Sequence, residues 1–172
     1  MSILRSAFLS NLRRNRMKDS GAFRAILTAG LIVGVLDISS ALIIWWQRDV
    51  GWRRGLQGLT AGLLGAKSYD GGLVTAGVGL ALHFFVAFVV VSVFYLASRK
   101  IKFLTLHPIV SGLLYGIAVY IAMYWFVLPV VFPTFRHRLW NELLALIIHI
   151  SLIGLPCALI VRRYSQQTLK SS

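Results

Sequence analysis

Asp37, His83, Tyr120 and His149 are polar side chains that lie within long apolar stretches of this chain. His83 is the plainest case. It sits in GLALHFFVAFVVVSVFYLASRK (79–100), and no Asp, Glu, Lys or Arg occurs between Gly72 and Ala97. About 20 apolar residues cross the ~30 Å hydrocarbon core of a bilayer as a helix, and an ionisable group there faces protein or water rather than lipid. Imidazole and carboxylate together suit proton transfer, metal or haem ligation, and acid–base catalysis. They equally suit plain interhelical hydrogen bonds, worth about 0.6 kcal/mol on average and up to about 1.7 kcal/mol.

Neighbouring motifs narrow the choice. There is no HxxxH, no ExxH and a single cysteine, Cys157, inside an apolar run. No metal ligands and no cofactor are therefore assigned, and Cys157 reads as a small buried apolar residue. No nucleophile accompanies the His and Asp residues, and no phosphate-cradling GxxxxGK[ST] is present. This weighs against an enzyme, so no catalytic residue is named. His107, just before Pro108, reads as an interfacial residue.

The elements that must position these residues follow from hydropathy. Of 172 residues, 58% are hydrophobic and 13% charged, with a mean hydropathy of +0.76. A soluble domain would carry roughly a quarter charged residues. Four apolar stretches, 25–46, 72–97, 108–131 and 141–161, are each long enough to span, and lipid leaves helix as their form. The expected fold is an all-α integral membrane protein, a four-transmembrane-helix bundle over 25–163. A basic segment, 1–24, precedes it and a polar tail, 164–172, follows. Pro129 and Pro133 are expected to end the third span and Pro156 to kink the fourth.

Charge sets the orientation. Twelve of the 18 Lys and Arg lie before span one, between spans two and three, or after span four; Arg48, Arg53, Arg54, Lys67, Arg136 and Arg138 lie on the other side. The positive-inside rule then puts both termini in the cytoplasm. Trp45, Trp46, Trp52 and Trp140 gather at the opposite boundary, as an interfacial belt would. The net charge of +13 is explained by topology and anionic headgroups, and nucleic acid is not an expected partner. Leu4, Ala7, Phe8 and Leu12 share one helical face ahead of Arg13, Arg14 and Arg16, which suits a short amphipathic helix on the anionic inner leaflet. Such a start also fits a mitochondrial presequence; no cleavage site ends the first apolar run, which is expected to remain as an anchor.

Between spans one and two, GLQGLTAGLLGAKSYDGG (55–72) holds an apolar run too short to cross. A Gly-rich re-entrant or interfacial helix is expected there, either lying flat over the bundle or facing a pore.

At helical spacing the polar residues fall on stripes of small residues. Gly30, Gly34, Asp37 and Ala41 share a face of span one, and Ala76, Gly79, His83 and Ala87 a face of span two. Gly112 and Gly116 continue to Tyr120 and Met123, and Glu142 and Ala145 to His149 and Pro156. Gly30/Gly34 and Gly112/Gly116 are GxxxG pairs, which with Gly79 let helices approach closely. Counted from the outer boundary, Asp37, His83, Tyr120 and His149 lie roughly 12 to 17 Å deep at 1.5 Å per residue. They are expected to share one intramembrane polar layer.

In the pieces LQGLTAGLLG, GLALHFF, ASRK, GLLYGIAVY and GLPCALIVRR, and in their order, the chain resembles a group of small, uncharacterised bacterial inner-membrane proteins with four spans. The resemblance covers most of residues 25–163 and departs at the basic N-terminal extension. It implies a bacterial cytoplasmic membrane and a compact helical bundle, and brings no activity with it.

Three roles stay open at this point. One is a structural or accessory protein, as a homodimer or a small subunit of a larger membrane complex, in which the polar layer holds helices together. Another is a small proton-coupled transporter or channel-like protein using that layer. The third is a membrane protein holding a metal or haem on its histidines.

Overall fold

The structure, a computed structural model, describes the backbone of residues 2–133 and 135–170 and the side chains of residues 21–133 and 135–165. The amphipathic face expected on residues 1–24 thus lies largely outside the described side chains. Among the described residues all regular structure is helical. Helix α1 (Ser2–Gln47) is followed by α2 (Trp52–Leu64), a 3-10 turn (Gly65–Tyr69), α3 (Gly72–Lys100) and the single turn α4 (Phe103–Leu106). Then come α5 (Pro108–Ile121), a π turn (Ala122–Val127), α6 (Leu128–Val131), α7 (Leu139–Ile148), a second π turn (His149–Gly154) and α8 (Leu155–Lys170).

Four continuous helical stretches are long and apolar enough to cross a membrane: Gly21–Gln47, Gly72–Lys100, Pro108–Val131 and Leu139–Ser165. Spans three and four each consist of two α segments joined by a π turn. Both π turns stop two residues before a proline, Pro129 or Pro156. Proline lacks an N–H and its ring crowds the carbonyl four residues earlier. Those carbonyls, of Trp125 and Leu152, lie inside the π turns, where the wider spiral gives the ring room. Pro156, expected to kink span four, thus follows a π turn, a local change of helical pitch.

The first span ends in a Schellman cap. The amides of Asp49 and Val50 donate to the Trp46 and Trp45 carbonyls at 3.2 and 2.8 Å. Asp49 takes φ 55°, the left-handed conformation that such a cap requires.

In the bundle, span one packs against spans two and four, and span four against span three. Spans two and three are the flanks. At the end that carries the termini the four spans close on one apolar core, with Ala25, Ala29 and Val33 facing Val91, Phe94, Val119, Ile153, Cys157 and Val161. There the Tyr115 hydroxyl of span three donates to the Val90 carbonyl of span two at 2.6 Å, and its ring rests on Phe94. Tyr115→Phe keeps the ring and removes the bond. It is expected to lower stability by about 0.5–1.5 kcal/mol, measured as a fall in the thermal midpoint of the detergent-solubilised protein.

At the other end α2 packs on spans one and two through Leu56, which joins Ile38 and Ala76. Its Leu56 carbonyl comes so close to Gly79 that any side chain at 79 would strike it. Buried Thr60 donates to the Thr75 carbonyl at 2.6 Å, and buried Gln57 to the Gly72 carbonyl at 2.9 Å. These bonds fix a 13-residue helix, shorter than a span, against the flank of α3.

Candidate intramembrane site

Between the two flanking spans, below α2, lies a cavity of about 330 Å³. Val86 and Val90 form one wall and Met123 and Val127 the other, with Leu59 of α2 as a roof. Val86 and Val127 on its rim are exposed, so it opens on the face that a bilayer would cover. The Tyr115–Val90 bond closes the cleft towards the termini.

Asp37 of span one, His83 of span two and His149 of span four all line this cavity. Helix packing brings them there. Gly30 and Gly34 face the rings of Phe88 and Phe84, which lets α3 lie close beside α1 and sets His83 against the α1 backbone. The His83 Nε2 sits 2.9 Å from the Gly34 carbonyl oxygen. A carbonyl only accepts, so Nε2 carries the hydrogen and donates. Nδ1 of the same ring then points at the Asp37 Oδ2, 3.9 Å away. That gap is too long for a direct hydrogen bond. A bare Nδ1 and an ionised carboxylate would present two lone pairs to each other across it. A proton on either group, or a water donating to both, removes the conflict.

His149 stands differently. Its Nδ1 donates to the Ala145 carbonyl one turn back in its own helix at 2.7 Å, leaving Nε2 available. The ring meets Tyr120 and Tyr124 edge-on, with centroids 6.0 and 5.9 Å apart. Both histidines lie within electrostatic reach of the Asp37 carboxyl.

Tyr120 turns the other way. Its hydroxyl donates to Glu142 Oε2 at 2.7 Å, and the other Glu142 oxygen takes His137. Of the four residues expected in one layer, three line the cavity, and Tyr120 touches it only through the rings of His149 and Tyr124. Tyr124, one turn beyond Tyr120, is the residue that periodicity could have added. It stacks on Tyr120 at 5.0 Å and lines both this cavity and a second one nearer the bundle end. Among the described residues no group of three or more His, Cys, Asp or Glu side chains is arranged to hold a metal ion.

The remaining glycines named from the sequence meet backbone. A side chain at Gly112 would strike Leu155 and Gly154, and one at Gly116 would strike His149 and Ile150. Both GxxxG faces are thus covered within the chain itself.

Comparisons with protein-family models, curated proteins and solved structures give no match, so no family is identified, and the chain stands as a multi-pass membrane protein by its four apolar helices.

Proposed function

We propose that the chain is a small proton-coupled transporter or channel-like protein, with Asp37, His83 and His149 as its proton-carrying groups. One observation carries this reading: three titratable side chains from three spans line one cavity without saturating one another. If the layer served only to hold helices together, all three groups would bond across spans; His83 does so, to the Gly34 carbonyl, but Asp37 and His149 do not. Asp37 instead keeps a 3.9 Å gap to its partner, with 31% of its side chain exposed. His149 hydrogen-bonds to its own helix and meets span three through the Tyr120 and Tyr124 rings alone. The cavity has room for water beside all three groups. The test is flux. Proteoliposomes holding the purified protein should dissipate an imposed pH gradient faster than empty liposomes, read by an internal pH dye. Equal rates across solutes and pH values would remove the proposal.

The structural or accessory role is the second reading, favoured by the His83–Gly34 bond, which does tie spans one and two. Under it, loss of His83 lowers stability and nothing else.

The setting inferred for either role is a bacterial inner membrane with both termini in the cytoplasm, supported by the Lys and Arg asymmetry. The basic segment 1–24 would rest on the anionic leaflet. A re-entrant position for α2 is supported by Leu59 roofing the cavity and by the Leu56–Gly79 contact, seven residues into α3. A homodimer would have to use surfaces other than the two GxxxG faces, which the chain's own helices fill.

A further inference from the structure

The second cavity lies at the bundle end opposite the termini, where span one ends and span four begins. It encloses about 220 Å³, and its lining includes Arg48, Arg136, Arg138, Asn141, Glu142 and Tyr124. Three arginines and a single carboxylate residue, Glu142, are among its lining residues. That carboxylate is already engaged, since Glu142 accepts from Tyr120 and pairs with His137. Arg48 is held in place by donating to Asn141 Oδ1 at 2.9 Å, and Arg136 donates to the Phe135 carbonyl at 3.2 Å. Neither bond neutralises a charge. Arg138 is the residue before α7, whose N-terminus has no side-chain cap, so free backbone N–H groups add to the positive field beside it.

Three arginines around a small concavity, with spare donors and an unmatched charge, suit a tetrahedral oxyanion better than any neutral group. The level in the membrane narrows the ligand. Trp46 and Trp140, both strongly exposed, mark this end as the interface, where headgroup phosphates lie.

We infer that the Arg48/Arg136/Arg138 cavity is a binding site for a phosphate group, carried by a lipid headgroup or free in solution. It stands apart from the Asp37 cluster and does not depend on the proton reading. The Tyr124 ring is the wall that the two cavities share.

The full chain in a neutral detergent would be titrated calorimetrically with dioctanoyl phosphatidic acid and, separately, with inorganic phosphate. Saturable binding of the lipid alone assigns the site to headgroups. Saturable binding of both assigns it to phosphate from either source. In each case Arg138→Gln and Arg48→Gln should weaken binding about tenfold or more, as loss of a charged hydrogen bond does. Arg53→Gln, outside this cavity, should leave it unchanged. Binding of neither probe, or equal weakening by all three substitutions, overturns the inference. Thermal midpoints of the variants confirm that each is folded.

Discussion

Asp37→Asn is expected to reduce proton flux in proteoliposomes at least tenfold, to near the rate of empty vesicles, while the thermal midpoint stays close to wild type. The two amino acids have nearly the same shape, so packing beside Ile38 and the Gly34 turn is kept. What is lost is the ability to take and release a proton. The local geometry makes the separation of flux from folding possible, because the nearest partner of the carboxyl stands 3.9 Å away and no direct bond is broken. His83→Gln provides the companion test. The glutamine amide can still donate to the Gly34 carbonyl, but it has no second nitrogen to carry a proton to Asp37. Flux should fall with little loss of stability. If instead both substitutions lower the thermal midpoint by several degrees, the residues serve as interhelical bonds.

The largest expected effect on stability comes from span four. Gly154→Ala should destabilise the protein by about 1–3 kcal/mol or more, the range for overpacking a closed interface. An added methyl would meet the carbonyl oxygen of Gly112 and the amide nitrogen and Cα of Gly116. All three are backbone atoms of α5, which no rotamer change can move aside. Bulk at Gly154 can be accommodated only by separating spans three and four. Gly77→Ala supplies the contrast, since a methyl there meets nothing within 4 Å. It should be neutral or stabilising by up to about 1 kcal/mol, as alanine favours helix. Parallel thermal unfolding of the two variants in one detergent checks both values.

Much of the architecture was legible in the residues. Four spans follow from runs of apolar residues that only helices can carry through lipid, and all four are present as helices. Asp37 and His83 were traceable to packing faces because they recur with Gly30, Gly34, Ala76 and Gly79 at helical spacing. Periodicity reads one helix at a time, however, and assumes 3.6 residues per turn throughout. The π turns at Ala122–Val127 and His149–Gly154 break that assumption. They contain Tyr124 and His149, so the partner of Tyr120 could not be read from spacing alone. Glu142 was visible on the stripe of His149, but its bond to Tyr120 depends on how spans three and four cross. The arrangement of spans, with two and three as flanks around a cleft, is likewise a property of pairing between helices. Gln57, Thr60 and Thr75 were overlooked for another reason. Their hydrogen bonds to buried oxygens depend on how α2 packs against α3, which spacing within one helix does not show.

On the proposed function, Asp37 belongs to a protonatable cluster open to the cavity. Infrared difference spectroscopy of the membrane-embedded protein across a pH titration tests it most directly, with wild type, Asp37→Asn and His83→Gln compared. A carboxylic acid C=O band should grow and fade reversibly with pH, be missing in Asp37→Asn, and shift in His83→Gln. A titrating band that persists unchanged in Asp37→Asn would contradict it.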